Sequence, residues 1–147
     1  MTRLPLFRRL RRDTDGAVLV EFALSAPIFL TLLFGVFQIG LTMWNYNALR
    51  GVAGEVSRWA AVQYQTDHQV PTEQIRDYAQ AVAIQSPFLL KSDNLGVQVV
   101  DAATQRVAGA TEKTLILTYR SPSIVPFISV VEFDMTHTRS MFLIPDA

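Results

Sequence analysis

The sequence contains no cysteine among its 147 residues and only two histidines. Without cysteine there is no disulfide framework and no metal centre built on thiolates. His68 and His137 do not have the spacing of metal ligands, and neither a GxSxG motif nor a glycine-rich phosphate loop occurs. Half of the residues are hydrophobic, which is too many for a disordered chain. We therefore predict a folded protein that is not an enzyme and needs no cofactor.

The charges of the chain sum to zero, but they are unevenly distributed. Residues 1–16 hold five arginines and two aspartates, a balance of +3, so the rest of the chain carries −3. A nucleic-acid-binding protein usually spreads basic residues over its folded domain, so we predict no nucleic-acid partner. Four of the arginines lie just before an apolar segment, as is typical of the cytoplasmic side of a membrane span: Arg8, Arg9, Arg11 and Arg12.

The apolar segment, residues 17–44, has 20 hydrophobic side chains out of 28 and a single charge, Glu21. As a helix, residues 17–37 are long enough to cross a hydrocarbon core of about 30 Å, and Trp44 is of the interfacial type. Because the arginines precede this span, residues 1–16 are predicted to be cytoplasmic and residues 45–147 to lie on the other side.

A cleavable secretory signal is the main alternative, since it also joins basic residues to an apolar run. The nearest small-residue site ends at Ala26, where Pro27 and further apolar sequence follow, and Glu21 interrupts the run. We therefore predict a retained membrane helix.

Glu21 lies four residues after Ala17, about 6 Å along a helix, so it is shallow in the span. A carboxylate costs about 2–3.5 kcal/mol near the bilayer centre and is a candidate functional residue. Its position alone also allows it to reach the headgroups or the arginines. Pro27 removes a backbone donor opposite the carbonyl of Ala23, and either bends the helix or is tolerated there.

The stretch DGAVLVEFAL, with Gly16, Ala17, Glu21 and later Pro27 in register, resembles the TadE-like family over about residues 12–60. These are pilin-like proteins of the Flp, or tight-adherence, pilus systems of bacteria. The resemblance implies that a prepilin peptidase cuts after Gly16 on the cytoplasmic face. It also implies that Glu21 pairs with the new α-amine of Ala17 in a neighbouring subunit.

The resemblance further implies a minor pilin or pseudopilin in the bacterial inner membrane, with a periplasmic C-terminal domain. Its expected partners are other pilin-like subunits, the prepilin peptidase and membrane lipid. Two alternatives remain open: a membrane-anchored binding module with no pilus role, and a tethered periplasmic hydrolase in which His68 or His137 meets an acid. Folding could bring together four carboxylates: Asp93, Asp101, Glu132 and Asp134. For Glu132 and Asp134, a solvated strand face is the main expectation.

Beyond Trp44, apolar residues at helical spacing predict that the helix continues to about Tyr64, with Trp59 and Tyr64 in the core. A loop is predicted at 67–71 and a second helix from near Glu73 to near Pro87. Strands are predicted at 97–100, 114–119 and 129–142, with a turn at 108–111 between the first two. The sequence thus predicts a pilin-like α+β fold, in which a long helix and a second helix precede a small antiparallel sheet.

Overall fold

One long helix, α1, extends from Thr14 to Gln65. The structure is a computed structural model, which describes residues 14–66, 69–125 and 132–144. The 52 residues of α1 make this helix about 78 Å long at 1.5 Å per residue. Within the described residues it is the one helix long and apolar enough to cross a membrane. The predicted continuous helix from the apolar segment to about Tyr64 is therefore confirmed.

A second helix, α2, spans Thr72–Ile84 and follows Pro71. Glu73 lies in its first turn, where a carboxylate interacts favourably with the helix dipole. The helix ends close to the predicted boundary, and residues 69–71 form an irregular connection before it. Asp67 and His68 lie outside the described residues.

The C-terminal half forms a three-stranded antiparallel sheet in the order β1-β2-β3. Its strands are β1 (Leu95–Asp101), β2 (Thr111–Ser121) and β3 (Phe133–Leu143). A short 3-10 helix, Ser92–Asn94, precedes β1. Gly109 has a φ of +82°, which glycine adopts easily, and it lies in the turn predicted between β1 and β2.

The core lies between the sheet and the second half of α1, with α2 completing it. Six residues of α1 recur at helical spacing on the buried face: Leu49, Val52, Ala53, Val56, Ala60 and Tyr64. Trp59 packs against this core and stacks on Tyr78 of α2, with 4.1 Å between the ring centroids. The expected core positions of Trp59 and Tyr64 are confirmed.

Alternation along the strands decides which side chains of the sheet reach this core. In β2, Leu115 and Leu117 are fully buried, and in β3 Met135 is buried while Asp134 and Thr136 are exposed. β3 begins at Phe133, so Glu132 precedes the strand, and residues 129–131 lie outside the described residues. The predicted α+β fold is confirmed.

Candidate assembly site on the long helix

The first part of α1 presents apolar side chains on all sides. None of its most apolar 18-residue stretch is buried within the described structure. Phe22 is 70% exposed, Leu32 is 67% exposed and Phe37 is 57% exposed. A surface of this kind is stable only against lipid or against other apolar helices. This part of the helix is a candidate membrane anchor.

The hydroxyl side chains of this segment bond to their own helix. Ser25 donates to the carbonyl of Glu21 at 2.7 Å, and Thr31 donates to the carbonyl of Pro27 at 2.8 Å. Such bonds to the preceding turn satisfy hydroxyl groups where no water is available. The carboxylate of Glu21 is different, because no ion pair reaches it in the part of the chain that the structure describes.

The residues predicted at the leader junction all lie in α1. Gly16 and Ala17 are exposed in its first turn, and Glu21 is exposed one turn further on. Helical structure is continuous across Pro27, and the bend proposed there stays a prediction. Arg8, Arg9, Arg11 and Arg12 are outside the described residues, so their role in orientation also stays a prediction.

Gln38 is a functional candidate that sequence reasoning missed. It follows the apolar run directly, yet only 2% of its surface is exposed. Its Oε1 accepts a hydrogen bond from the backbone N–H of Ile124 at 2.8 Å, and its Nε2 donates to the carbonyl of Pro122 at 3.4 Å. Gln38 therefore fixes the chain that leaves β2 against the outer end of the apolar segment.

A second contact lies two helical turns further along α1. Asn45 donates from Nδ2 to Oγ of Ser121 at 3.1 Å. Between them, Thr42 donates only to the carbonyl of Gln38, within the helix. The sequence signal was the spacing of Gln38, Thr42 and Asn45, which places three polar side chains on one face just after an apolar run.

Three of the four carboxylates considered as acid groups line one groove of about 570 Å³ at the end of β2 and the start of β3. They are Asp93, Glu132 and Asp134. Arg120 Nε lies 3.1 Å from both Glu132 and Asp134. The hydrogen bond to Asp134 and the charges of both carboxylates raise the pKa of Arg120. Glu132 and Asp134 are therefore exposed and ion-paired, as expected for a solvated strand face.

The remaining carboxylate of that set is used elsewhere. Asp101 accepts a hydrogen bond at 2.5 Å from Nζ of Lys113, which also donates to Thr72 at the start of α2. Lys113 is 7% exposed, so these contacts keep a nearly buried ammonium paired. They join the sheet to α2.

A second ion pair orders the connection between β1 and β2. Arg106 bonds the nearly buried carboxylate of Glu112, donates to Ser140 and lies 5.2 Å from the ring centroid of Phe142. The hydrogen bonds from Arg106 lower the pKa of Glu112 below its ordinary value, although burial of the carboxylate acts in the opposite direction. This cluster stabilises the far end of the sheet.

His137 lies on the face of β3 that looks toward α1. Its ring meets Tyr46 edge to face, with 5.9 Å between centroids. Burial first, then the positive charges of Arg50 and Arg139, lower its pKa below the ordinary value. Since Asp134 is an odd number of strand positions away, its side chain points to the opposite face. Within the described residues, the structure therefore pairs His137 with no acid of the groove.

No group of three or more His, Asp or Glu side chains in residues 14–66, 69–125 and 132–144 is arranged to hold a metal ion. Four carboxylates of the sheet region instead pair with Arg120, Lys113 and Arg106: Asp101, Glu112, Glu132 and Asp134. The chemistry that the described structure offers is association through an apolar helix, with Glu21 as its charged side chain.

These features define an α+β domain continuous with one candidate membrane anchor. Residues 16–58 match the family model of TadE-like protein. Comparison with curated proteins and with solved structures gives no match. The resemblance to the TadE-like family is confirmed over the matched residues, which run from Gly16 into the core half of α1.

Proposed function

We propose that this protein is a minor pilin or pseudopilin-like subunit that serves assembly of a tight-adherence pilus. Its first helix spans the bacterial inner membrane, residues 1–16 are cytoplasmic, and the α+β domain is periplasmic. The observation that carries the proposal is the register of Gly16, Ala17 and Glu21 at the start of an exposed apolar helix inside the TadE-like match.

A prepilin peptidase cleaves after Gly16 and leaves an α-amine on Ala17. That amine is a positive charge at the start of an apolar helix, where an unpaired charge is costly. A Glu21 carboxylate from a neighbouring helix neutralises it, and the pair fixes the axial stagger of the two helices. The arginines ahead of the site keep the leader on the cytoplasmic side and contact anionic headgroups.

The role is structural rather than catalytic. The exposed span supplies contact with lipid and with other pilin-like helices, while the core half of α1 holds the domain rigidly on the anchor. Because the helix is continuous between the two parts, helix stagger within an assembly sets the position of each domain.

The test is substitution of Glu21 by glutamine in the full chain, followed by isolation of the protein with its pilin-like partners from membranes. Removing one partner of a desolvated ion pair leaves the other charge uncompensated, which weakens association. The amount of pilin-like partners recovered with the protein should therefore fall by about tenfold or more. Insertion into the membrane should be unchanged, because the substitution removes the charge from an otherwise apolar span.

Glu55→Gln is the matched control. Glu55 lies on the same helix beyond the span and pairs with Arg58 at 2.5 Å. The Arg58 side chain is 74% exposed and that of Glu55 is 36% exposed, so the pair lies at the surface. An exposed pair of this kind contributes little, so partner recovery should match the parent protein. Equal recovery with Glu21→Gln and with the parent protein would contradict the proposed role of Glu21.

A further inference from the structure

Hydrogen bonds from α1 fix the position of residues 121–125, at the end of β2, along the axis of that helix. The bonds from Gln38 reach Pro122 and Ile124, and the bond from Asn45 reaches Ser121. Gln38 and Asn45 are seven residues apart, so both contacts lie on one face of the helix, about 10 Å apart along its axis.

The position of Gln38 along this axis coincides with the outer end of the apolar run. A helix entering the hydrocarbon core at Ala17 has risen about 30 Å at Phe37, which is the thickness of the core. Gln38 is the next residue. Pro122 and Ile124, which Gln38 contacts, therefore lie where the acyl chains meet the headgroups, whereas Ser121 lies further out, level with Asn45.

The exposed surface at this level is apolar on both elements. Phe37 and Ile39 are 57% and 63% exposed on the helix, and Ile124 is 41% exposed beside them. Pro122 is exposed as well. Exposed apolar side chains thus occur at this level both on the helix and on the segment that follows β2.

Three backbone polar groups of this irregular segment have side-chain partners: the carbonyl of Pro122 and the N–H groups of Ile124 and Val125. Non-helical backbone near the hydrocarbon region is tolerated only where its N–H and C=O groups have partners. Gln38 supplies an acceptor for the N–H of Ile124 and a donor for the carbonyl of Pro122, while Pro122 itself has no N–H. In water these groups would need no such partner.

We propose that residues 122–124 rest in the outer interface of the bilayer, with Pro122 and Ile124 against lipid. The domain then touches the membrane at two places, the helix and this segment, which limits the tilt of the domain relative to the membrane surface. This inference rests on the membrane anchorage of the proposed function, and it adds a lipid contact within the outer domain.

The absence of cysteine from the natural chain allows a direct test by single-cysteine labelling. The full chain carrying Ile124→Cys is labelled with an environment-sensitive fluorophore and reconstituted in phosphatidylcholine vesicles that contain nitroxide-labelled lipid. Val107→Cys is the matched control: it is an apolar residue of similar exposure, 44% against 41%, in the connection at the opposite end of β2. Leu32→Cys in the span reports insertion of the helix itself.

Quenching by the labelled lipid should be several-fold stronger at position 124 than at position 107, with a blue-shifted emission at 124. If position 32 is quenched but position 124 is quenched no more than 107, the helix is anchored and the lipid contact is wrong. If position 32 is not quenched either, the anchorage fails and the inference fails with it.

The role of Gln38 is tested in the Ile124→Cys protein by adding Gln38→Leu. Removing the amide should release residues 121–125 and reduce quenching at 124 toward the level at 107, while Leu32→Cys keeps its quenching. Thr42→Val is the control, because that hydroxyl bonds only within α1. Unchanged quenching at position 124 after Gln38→Leu would contradict the proposed role of Gln38 in holding residues 121–125.

Discussion

The two halves of α1 differ in what surrounds their apolar side chains. In the first half, Phe22 and Leu32 are about two-thirds exposed, whereas in the second half Leu49, Val52 and Val56 are fully buried. Both halves are equally helical and belong to one uninterrupted element. Helical structure therefore does not by itself tell which half builds the domain core and which half needs an external partner.

The pattern of the residues does separate them. In the second half, apolar positions recur every three or four residues and polar ones occupy the other faces, as in a helix that covers one core. In the first half, apolar residues occupy every face, as expected for a helix surrounded by lipid or other helices. Gln38 lies at the border, where the segment that follows β2 contacts the helix.

The largest effect that should separate the halves is loss of a core side chain. Leu49→Ala removes a fully buried side chain and should lower the free energy of unfolding of the domain by about 2–5 kcal/mol. Leu32→Ala removes a side chain that the described structure leaves 67% exposed, so it should leave that free energy nearly unchanged. Denaturant unfolding of the full chain in detergent, followed by near-UV circular dichroism, measures both; equal losses would contradict the comparison.

A smaller effect distinguishes two glycines in the core half. A Cβ at Gly51 would lie 2.3 Å from Cε1 of Phe88, whereas a Cβ at Gly54 would meet nothing within 4 Å. Gly54→Ala should therefore stabilise the protein by about 0.5–1 kcal/mol through helix propensity. Gly51→Ala should be less stable than Gly54→Ala by about 1–3 kcal/mol, because Phe88 must move. Thermal unfolding of both variants in the same detergent tests this, and identical shifts would show that α1 does not pack on Phe88.

The smallest effect is a pH dependence at the junction of helix and sheet. Because burial and the charges of Arg50 and Arg139 lower the pKa of His137, protonation is harder in the folded protein than in the unfolded one. The stability present above the unfolded histidine pKa should therefore be lost as the pH falls through the folded pKa. The depressed pKa of Glu112 acts at lower pH, because its stabilising contribution is lost as the pH falls from the ordinary carboxyl range through the folded pKa.

His137→Gln should reduce the loss of stability between about pH 7 and pH 5, where an ordinary histidine titrates. His68 is present in both proteins, so its contribution cancels in the difference. The measurement is the melting temperature at each pH for the parent protein and the variant. Parallel curves would contradict the assigned environment of His137.

The extent to which sequence predicted this fold follows from how local each feature is. The continuation of α1 to Tyr64 and the start of α2 near Glu73 depend on local periodicity and a nearby proline, so they could be predicted. The contact of Gln38 with Ile124 joins residues 86 positions apart, and no local pattern determines it. The polar spacing of Gln38 and Asn45 indicated only that one face of the helix has a partner.

The candidate assembly site divides in the same way. Gly16 and Glu21 could be found because their spacing is a local property of the chain, and the TadE-like match includes both. The groove around Arg120 depends on the register of β2 and β3, which pairs Arg120 with Asp134. Composition does not determine that register, so the ion pairs of Arg120 with Glu132 and Asp134 could not be predicted from the sequence.

The proposed function makes the part of α1 from Ala17 onward the N-terminal helix of a processed pilin-like subunit. The most direct measurement is the intact mass and N-terminal residue of the protein isolated from bacterial membranes, with and without a prepilin peptidase. A chain that begins at Ala17 only when the peptidase is present is the predicted result. A chain that begins at Met1 in both samples would contradict the claim and would favour a membrane-anchored module with no pilus role.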